Sequence, residues 1–255
     1  MLFDTHAHYD DERFDGDREA VLSALPGAGV GLVVNPGCTL EASRTAAALA
    51  ARFPFVYAAV GLHPENCGDF VPEQMDALRS LAAQPKVVAI GEVGLDYYWK
   101  ENPPAARQKD VLYRQMELAE ELDLPVIFHD RDAHADSLRA VKDFPRVRGV
   151  FHCYSGSAED AETLLAAGWL LSFNGAATFR NARRAPEVIR AVPLEKLMIE
   201  TDAPYLTPEP HRGERNDSRF VHLVAERIAA IKGITPQQVE DATWETGRRF
   251  FGIGS

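Results

Sequence analysis

Apolar residues along the chain fall into two alternating patterns. Short runs with little alternation, starting at residue 2 and then at residues 30–34, 55–60, 87–90, 125–129, 149–152, 169–173 and 197–201, read as strands covered on both faces. Other stretches have the spacing of helices. Residues 18–25, with Val21, Leu22 and Leu25, stop at Pro26-Gly27; residues 40–53 are Ala-rich; residues 72–83 open on a proline compatible with a first helical turn. Val111, Leu118 and Leu122, with Leu112, Met116 and Ala119 beside them, make an apolar stripe, and residues 133–144 form a further helix. Near the end, Val221, Val224, Ala225, Ile228 and Ile231 share a helical face. Thr235-Pro236-Gln237-Gln238 then supplies an N-cap, a first-turn proline and a capping-box glutamine. Gly27-Ala28-Gly29-Val30-Gly31 precedes a strand, whereas a dinucleotide loop follows one and opens a helix, so it reads as a turn. After the seventh strand come Asn174-Gly175 and a basic segment with Arg180, Arg183 and Arg184. Eight strands separated by helical stretches in 255 residues favour one domain spanning 1–255, an α/β closed (β/α)8 barrel of the TIM type, over an open doubly wound sheet.

The strand ends carry the candidate chemistry. In extended backbone His6 and His8 project to the same side, which turns an ordinary His-x-His into two imidazoles converging on one point. Glu92, His129, His152 and Asp202 likewise fall at carboxyl ends of strands, the rim where such barrels place their chemistry. Taken singly, each has an ordinary reading as a satisfied core or loop residue; in a closed barrel the six converge. Four imidazoles and two carboxylates exceed the needs of one tetrahedral ion. They point to two divalent ions bridged by a carboxylate, with Glu92 as the bridge, a centre that produces hydroxide near neutral pH and clamps attacking and leaving oxygens.

Composition narrows the function classes. With 46% hydrophobic and 25% charged residues and no long apolar run, a membrane span is not expected, and a first strand starting at residue 2 leads us to expect a cytoplasmic protein. Cys38, Cys67 and Cys153 are odd in number and widely spaced, so they read as filler. A net charge of -11 argues against coating nucleic acid through a broad basic face, but not against an enzyme that meets one phosphate at a time with bound cations.

Six segments together resemble one family: Asp4-Thr5-His6-Ala7-His8, Gly61-Leu62-His63-Pro64, Ala89-Ile90-Gly91-Glu92-Val93-Gly94-Leu95-Asp96-Tyr97, His152-Cys153-Tyr154-Ser155-Gly156, Glu200-Thr201-Asp202-Ala203-Pro204-Tyr205 and Arg212-Gly213-Glu214-Arg215-Asn216. In order, over residues 3 to 251, they are similar to the TatD family of metal-dependent deoxyribonucleases, within the amidohydrolase-like barrels. The resemblance implies that His6, His8, Glu92, His129, His152 and Asp202 are metal ligands and that Asp202 also handles protons. It implies hydrolysis of DNA phosphodiester bonds, 3′-to-5′ on single strands, and allows magnesium or manganese, whereas four imidazoles favour zinc by affinity. The same centre on another bond gives an alternative, an ester or amide hydrolase such as a D-aminoacyl-tRNA deacylase. A non-catalytic metal-binding protein is disfavoured because all the expected ligands are present.

Other residues have secondary roles in this reading. His63 contacts substrate phosphate or assists the leaving group, or else fixes a turn beside Pro64. Arg212 and Arg215, in a rim loop, are candidates for a phosphate clamp. Asp4 shares a face with His6 and Glu200 with Asp202, so either is placed to orient a ligand. His134 and His222 are expected to be structural, and the protein to be a monomer. The family usually has asparagine where this chain has Thr246, which bears on packing of the last helix and not on the chemistry.

Overall fold

The parallel strands follow one another around the sheet in chain order: β1 (Leu2–Asp4), β2 (Val30–Pro36), β3 (Val56–Val60), β4 (Val87–Asp96), β5 (Val126–Arg131), β6 (Gly149–Phe151), β7 (Leu170–Phe173) and β8 (Leu197–Ile199). The structure, a computed structural model, describes residues 1–254. Between and after the strands run α1 (Arg18–Ala24), α2 (Leu40–Arg52), α3 (Glu73–Ala82), α4 (Ala105–Leu122), α5 (His134–Asp143), α6 (Ala158–Ala166), α7 (Arg184–Ala191), α8 (Val221–Lys232) and α9 (Pro236–Phe251). β1 meets β8 through Thr5 N–H to the Ile199 carbonyl at 3.1 Å, Asp202 N–H to the His6 carbonyl at 2.9 Å and His8 N–H to the Ala203 carbonyl at 2.7 Å. These bonds bring the first and last strand ends together, and the architecture is the (β/α)8 barrel.

The barrel interior is divided into two levels. Phe3, Leu32, Val34, Ala59, Ala89, Ile127, Val150, Leu170 and Met198 form one buried apolar cluster, closed below by Phe250, Phe251 and Ile253 at the chain's end. Two positions further along β5 and β6 stand His129 and His152, the same side of the strand by its period of two. Two imidazoles therefore sit directly on an apolar floor. β4 breaks the rule. Period-two counting from Ala89 would send Glu92 outward, but the pairing with β5 slips between Ile90 and Val93, and the slip turns Glu92 inward.

β4 also runs past its expected end at residue 90. Val93 to Asp96 pair with Phe128 to Arg131, so what reads as a loop is strand. Gly94 makes this possible: its φ is 150°, and a Cβ there would lie 1.9 Å from the His129 carbonyl oxygen. Two helices, α6 and α7, are not among those singled out from apolar spacing. α6 is opened by a capping box in which Ser157 and Asp160 exchange hydrogen bonds, and α7 lies in what reads only as a basic segment. Thr246, on α9, donates its hydroxyl to the Glu195 carbonyl at 3.3 Å, so its local packing is satisfied.

Asp4 has a different job from the one its position on the strand suggests. Its carboxylate accepts Thr201 N–H at 2.9 Å and the Thr201 hydroxyl at 2.6 Å, and it touches no imidazole ring. It ties β1 to β8, and its complete burial pushes the carboxyl up to about 7. Asp4→Ala leaves a buried N–H and O–H without an acceptor, so it is expected to lower unfolding stability by about 1–3 kcal/mol. Urea denaturation checks this; an unchanged midpoint would show that the tie contributes nothing to closing the barrel.

Candidate metal centre

Two groups of donor atoms meet on opposite oxygens of one carboxylate. On one side, His6 Nε2 and His8 Nε2 stand 3.3 and 3.4 Å from Glu92 Oε2 and 3.0 Å from each other. Asp202 Oδ1 completes that group, at 3.7 Å from His6 Nε2 and 3.6 Å from His8 Nε2. On the other side, His129 Nδ1 and His152 Nε2 each lie 2.8 Å from Glu92 Oε1 and 3.1 Å apart. A tetrahedron with bonds of about 2.1 Å has edges of about 3.4 Å, so the first group has the spacing of a complete shell. The second has three donors and an open side, as catalytic ions require.

The outer atoms of the rings support the same assignment. Asp96 Oδ2 lies 3.2 Å from His129 Nε2, which places the proton on Nε2 and leaves the Nδ1 lone pair for the centre. Glu200 Oε1 faces His152 Nδ1 at 3.4 Å while accepting Cys153 N–H at 2.8 Å and the Asn174 amide at 3.1 Å. Thus Glu200 steadies the ends of β6 and β7 and faces His152; its relation is to that ring and not to Asp202. The His6 ring stacks on the His152 ring with centroids 4.0 Å apart. Burial works against charge on Glu92, but His152, His63 and His6 around it hold the carboxyl well below the usual carboxylate range. An anionic oxygen on each side of the centre is what a shared cation ligand needs.

His63 is brought in from the end of β3. Its Nδ1 accepts the Glu65 N–H at 3.2 Å, so in the neutral ring the proton is on Nε2, which points to Glu92 Oε1 at 3.4 Å. A histidine held in that tautomer offers an N–H to the centre, not a lone pair. The turn beside Pro64 and the position at the centre are therefore one arrangement: the turn fixes the tautomer. Away from the site, His134 pairs with Asp130 at 2.5 Å and His222 Nδ1 with the Arg219 carbonyl at 2.8 Å, as structural residues do.

The centre opens into a cleft of about 500 Å³, whose walls include Cys38, Asp96, Trp99, Arg131 and Tyr205 as well as His63 and all the candidate ligands but His6. Arg212 and Arg215 do not line it. The Arg215 guanidinium is committed to Asp17, with Nη1 at 2.8 Å from one oxygen and Nη2 at 2.7 Å from the other, and Arg212 lies 3.7 Å over the Phe179 ring. Their near neighbours are Asp17 and Phe179, both outside the cleft wall. The arginine that does reach the cleft is Arg131, on the same face of β5 as His129 by the period of two. Asp96 and Arg131 both lie beyond the strand ends read from apolar runs.

An apolar-floored parallel barrel with convergent imidazoles and carboxylates at its carboxyl rim defines a metal-dependent hydrolase. The chain belongs to the TatD family: the family model described as TatD related DNase matches residues 3–252. It is 41% identical over 255 residues, covering 99% of this chain and all of the relative, to YabD of Bacillus subtilis, named an uncharacterized metal-dependent hydrolase. It is 33% identical over 260 residues to the 3′-5′ ssDNA/RNA exonuclease TatD of Citrobacter rodentium, covering 99% of this chain and 98% of that one. Among solved structures, the TatD homolog YJJV of Escherichia coli superimposes with a TM-score of 0.92 at 32% identity, over 99% of this chain and 98% of the other. No helix among the described residues is long and apolar enough to cross a membrane.

Proposed function

We propose that this hydrolase is a divalent-metal-dependent nuclease that removes nucleotides from single-stranded DNA in the 3′-to-5′ direction. The observation that carries the reading is Glu92, whose two oxygens face two separate groups of donors. His6, His8, Asp202 and Glu92 would hold one ion, and His129, His152 and Glu92 a second. Bound divalent ions would supply Lewis acidity and lower the pKa of water. The chain's own groups do the rest. Asp202, at the cleft, takes the proton of the attacking water. His63, with its proton held on Nε2, offers a hydrogen bond to the departing oxygen and stabilises the charge that develops there. The name of the Citrobacter rodentium relative supports a single-stranded nucleic acid as the substrate, and the cleft volume lies within the usual range for small-molecule sites.

Chelator-treated protein is expected to lose nucleotide release from end-labelled single-stranded DNA and to regain it with magnesium, manganese or zinc. Activity that persists in EDTA would contradict the reading. So would protein that releases no nucleotide with any ion yet deacylates D-aminoacyl-tRNA, which would move the same centre to ester hydrolysis.

A further inference from the structure

Among the described residues, Tyr98, Trp99 and Tyr205 are the exposed aromatics, at 50%, 47% and 40% exposure, and all three gather at the mouth of the metal cleft. Trp99 and Tyr205 line it, and Tyr98 packs edge-on against Trp99 with centroids 4.8 Å apart. A single exposed aromatic needs no explanation, but a cluster of them beside a polar cleft marks a surface suited to a ligand. Here the Trp99 ring is also held in place. Asp96, the carboxylate that faces His129, accepts the Tyr98 N–H at 2.9 Å and the Trp99 N–H at 3.5 Å on its other oxygen. One side chain thus orients a candidate ligand and fixes the turn that carries the aromatic pair.

A cation stands beside this pair. The Arg131 guanidinium lies 4.0 Å from the Tyr98 ring centroid and 5.3 Å from that of Trp99, and it forms no ion pair with a carboxylate among the described residues. In a chain with a net charge of -11, an arginine without a carboxylate partner at the cleft is suited to an anionic ligand. A flat apolar face next to a positive charge, both beside a hydrolytic centre, matches a nucleobase joined to its phosphate. A sugar would use the face but not the charge; a bare phosphate would use the charge but not the face.

We infer that Trp99, backed by Tyr98 and Arg131, is the platform on which the base next to the hydrolysed bond stacks, so that the enzyme selects substrates carrying a base at that position. This rests on the nuclease reading above. The test compares single-stranded oligonucleotides whose last two 3′ nucleotides carry bases with the same strands made abasic there. The metal-loaded parental chain should prefer the first by on the order of 10-fold in kcat/KM, mostly through KM. Trp99→Ala should bring that ratio close to one, and Trp99→Phe should restore most of it. A Trp99→Ala protein with an undiminished preference would overturn the inference, whereas equal loss on both substrates would mark a structural role and overturn it too.

Fluorescence separates this inference from the nuclease reading. Trp169 is buried and Trp244 partly so, which leaves Trp99 as the exposed indole. Adding a short oligonucleotide to the parental chain should quench emission, and the quenching should be absent in Trp99→Ala. Quenching without cleavage would leave the stacking site and remove the nuclease; cleavage without quenching would do the reverse.

Discussion

Glu92→Gln is expected to abolish nucleotide release, by on the order of 10³-fold or more, while the barrel stays folded. Glutamine keeps the size of the side chain and one oxygen. It loses the negative charge and turns the other oxygen into an NH₂ that cannot ligate a cation. Glu92 is the side chain whose oxygens face both donor groups, 3.3 Å from His6 and 2.8 Å from both His129 and His152. The substitution therefore strips a ligand from one side and weakens the other. Metal contributions to such transition states are several kcal/mol, and each 1.36 kcal/mol is tenfold in rate. Single-turnover cleavage of end-labelled single-stranded DNA measures the effect, with circular dichroism as the control for folding. A folded Glu92→Gln protein that retains a tenth of parental activity would show that the carboxylate does not join the two groups.

Asp202→Asn is expected to slow the chemical step by on the order of 10²-fold or more, the contribution of a general base. Of the two carboxylates at the centre, Asp202 is the more accessible from the cleft, with its side chain 15% exposed against 4% for Glu92. It is thus the one placed to take a proton from water. Burial works against its charge, but the hydrogen bond with His8 and the nearby His6 and His152 keep it below the usual carboxylate range, so it is available as a base. Asparagine is also the gentlest replacement for the backbone. Asp202 has φ 58°, in the left-handed region that asparagine and aspartate tolerate better than other side chains except glycine. A loop-capping role would be kept by Asn, whereas a proton-accepting role would not. Single-turnover rates at saturating metal decide between them, and a rate near the parental one would place the base on another residue.

Much of the site was legible in the sequence because strand geometry repeats. His129 and His152 follow the interior residues Ile127 and Val150 by two positions, so an apolar run and its period suffice to aim them. His6 and His8 share a side with each other, but they lie past the end of β1 at Asp4, three and five residues after the interior Phe3, so the period does not aim them from the floor. Glu92 was readable as a carboxylate at a strand end, but its inward direction depends on the slip in β4, which no periodicity announces. Asp96 and Arg131 escaped because strand pairing continues beyond the apolar runs, carried by backbone hydrogen bonds that polar residues make equally well. The i, i+2 relation between His129 and Arg131 was nevertheless present. The surroundings of Arg212 and Arg215 were not legible for the opposite reason: loop side chains have no period, and their neighbours Phe179 and Asp17 are distant in sequence. α6 offered a capping signal at Ser157 and Asp160 but only a short apolar stripe, with Ala161 and Leu164 as its buried residues.

A centre shared through Glu92 requires two ions in one chain. The most direct measurement is elemental analysis of metal-free protein reconstituted with manganese or zinc and freed of excess ion, alongside the His6→Ala/His8→Ala double variant. About two equivalents are expected for the parental chain, reduced to about one in the double variant, because both imidazoles belong to the same ion's shell. A parental chain that saturates with a single ion while fully active, or a double variant with unchanged metal content, would contradict a centre shared through Glu92.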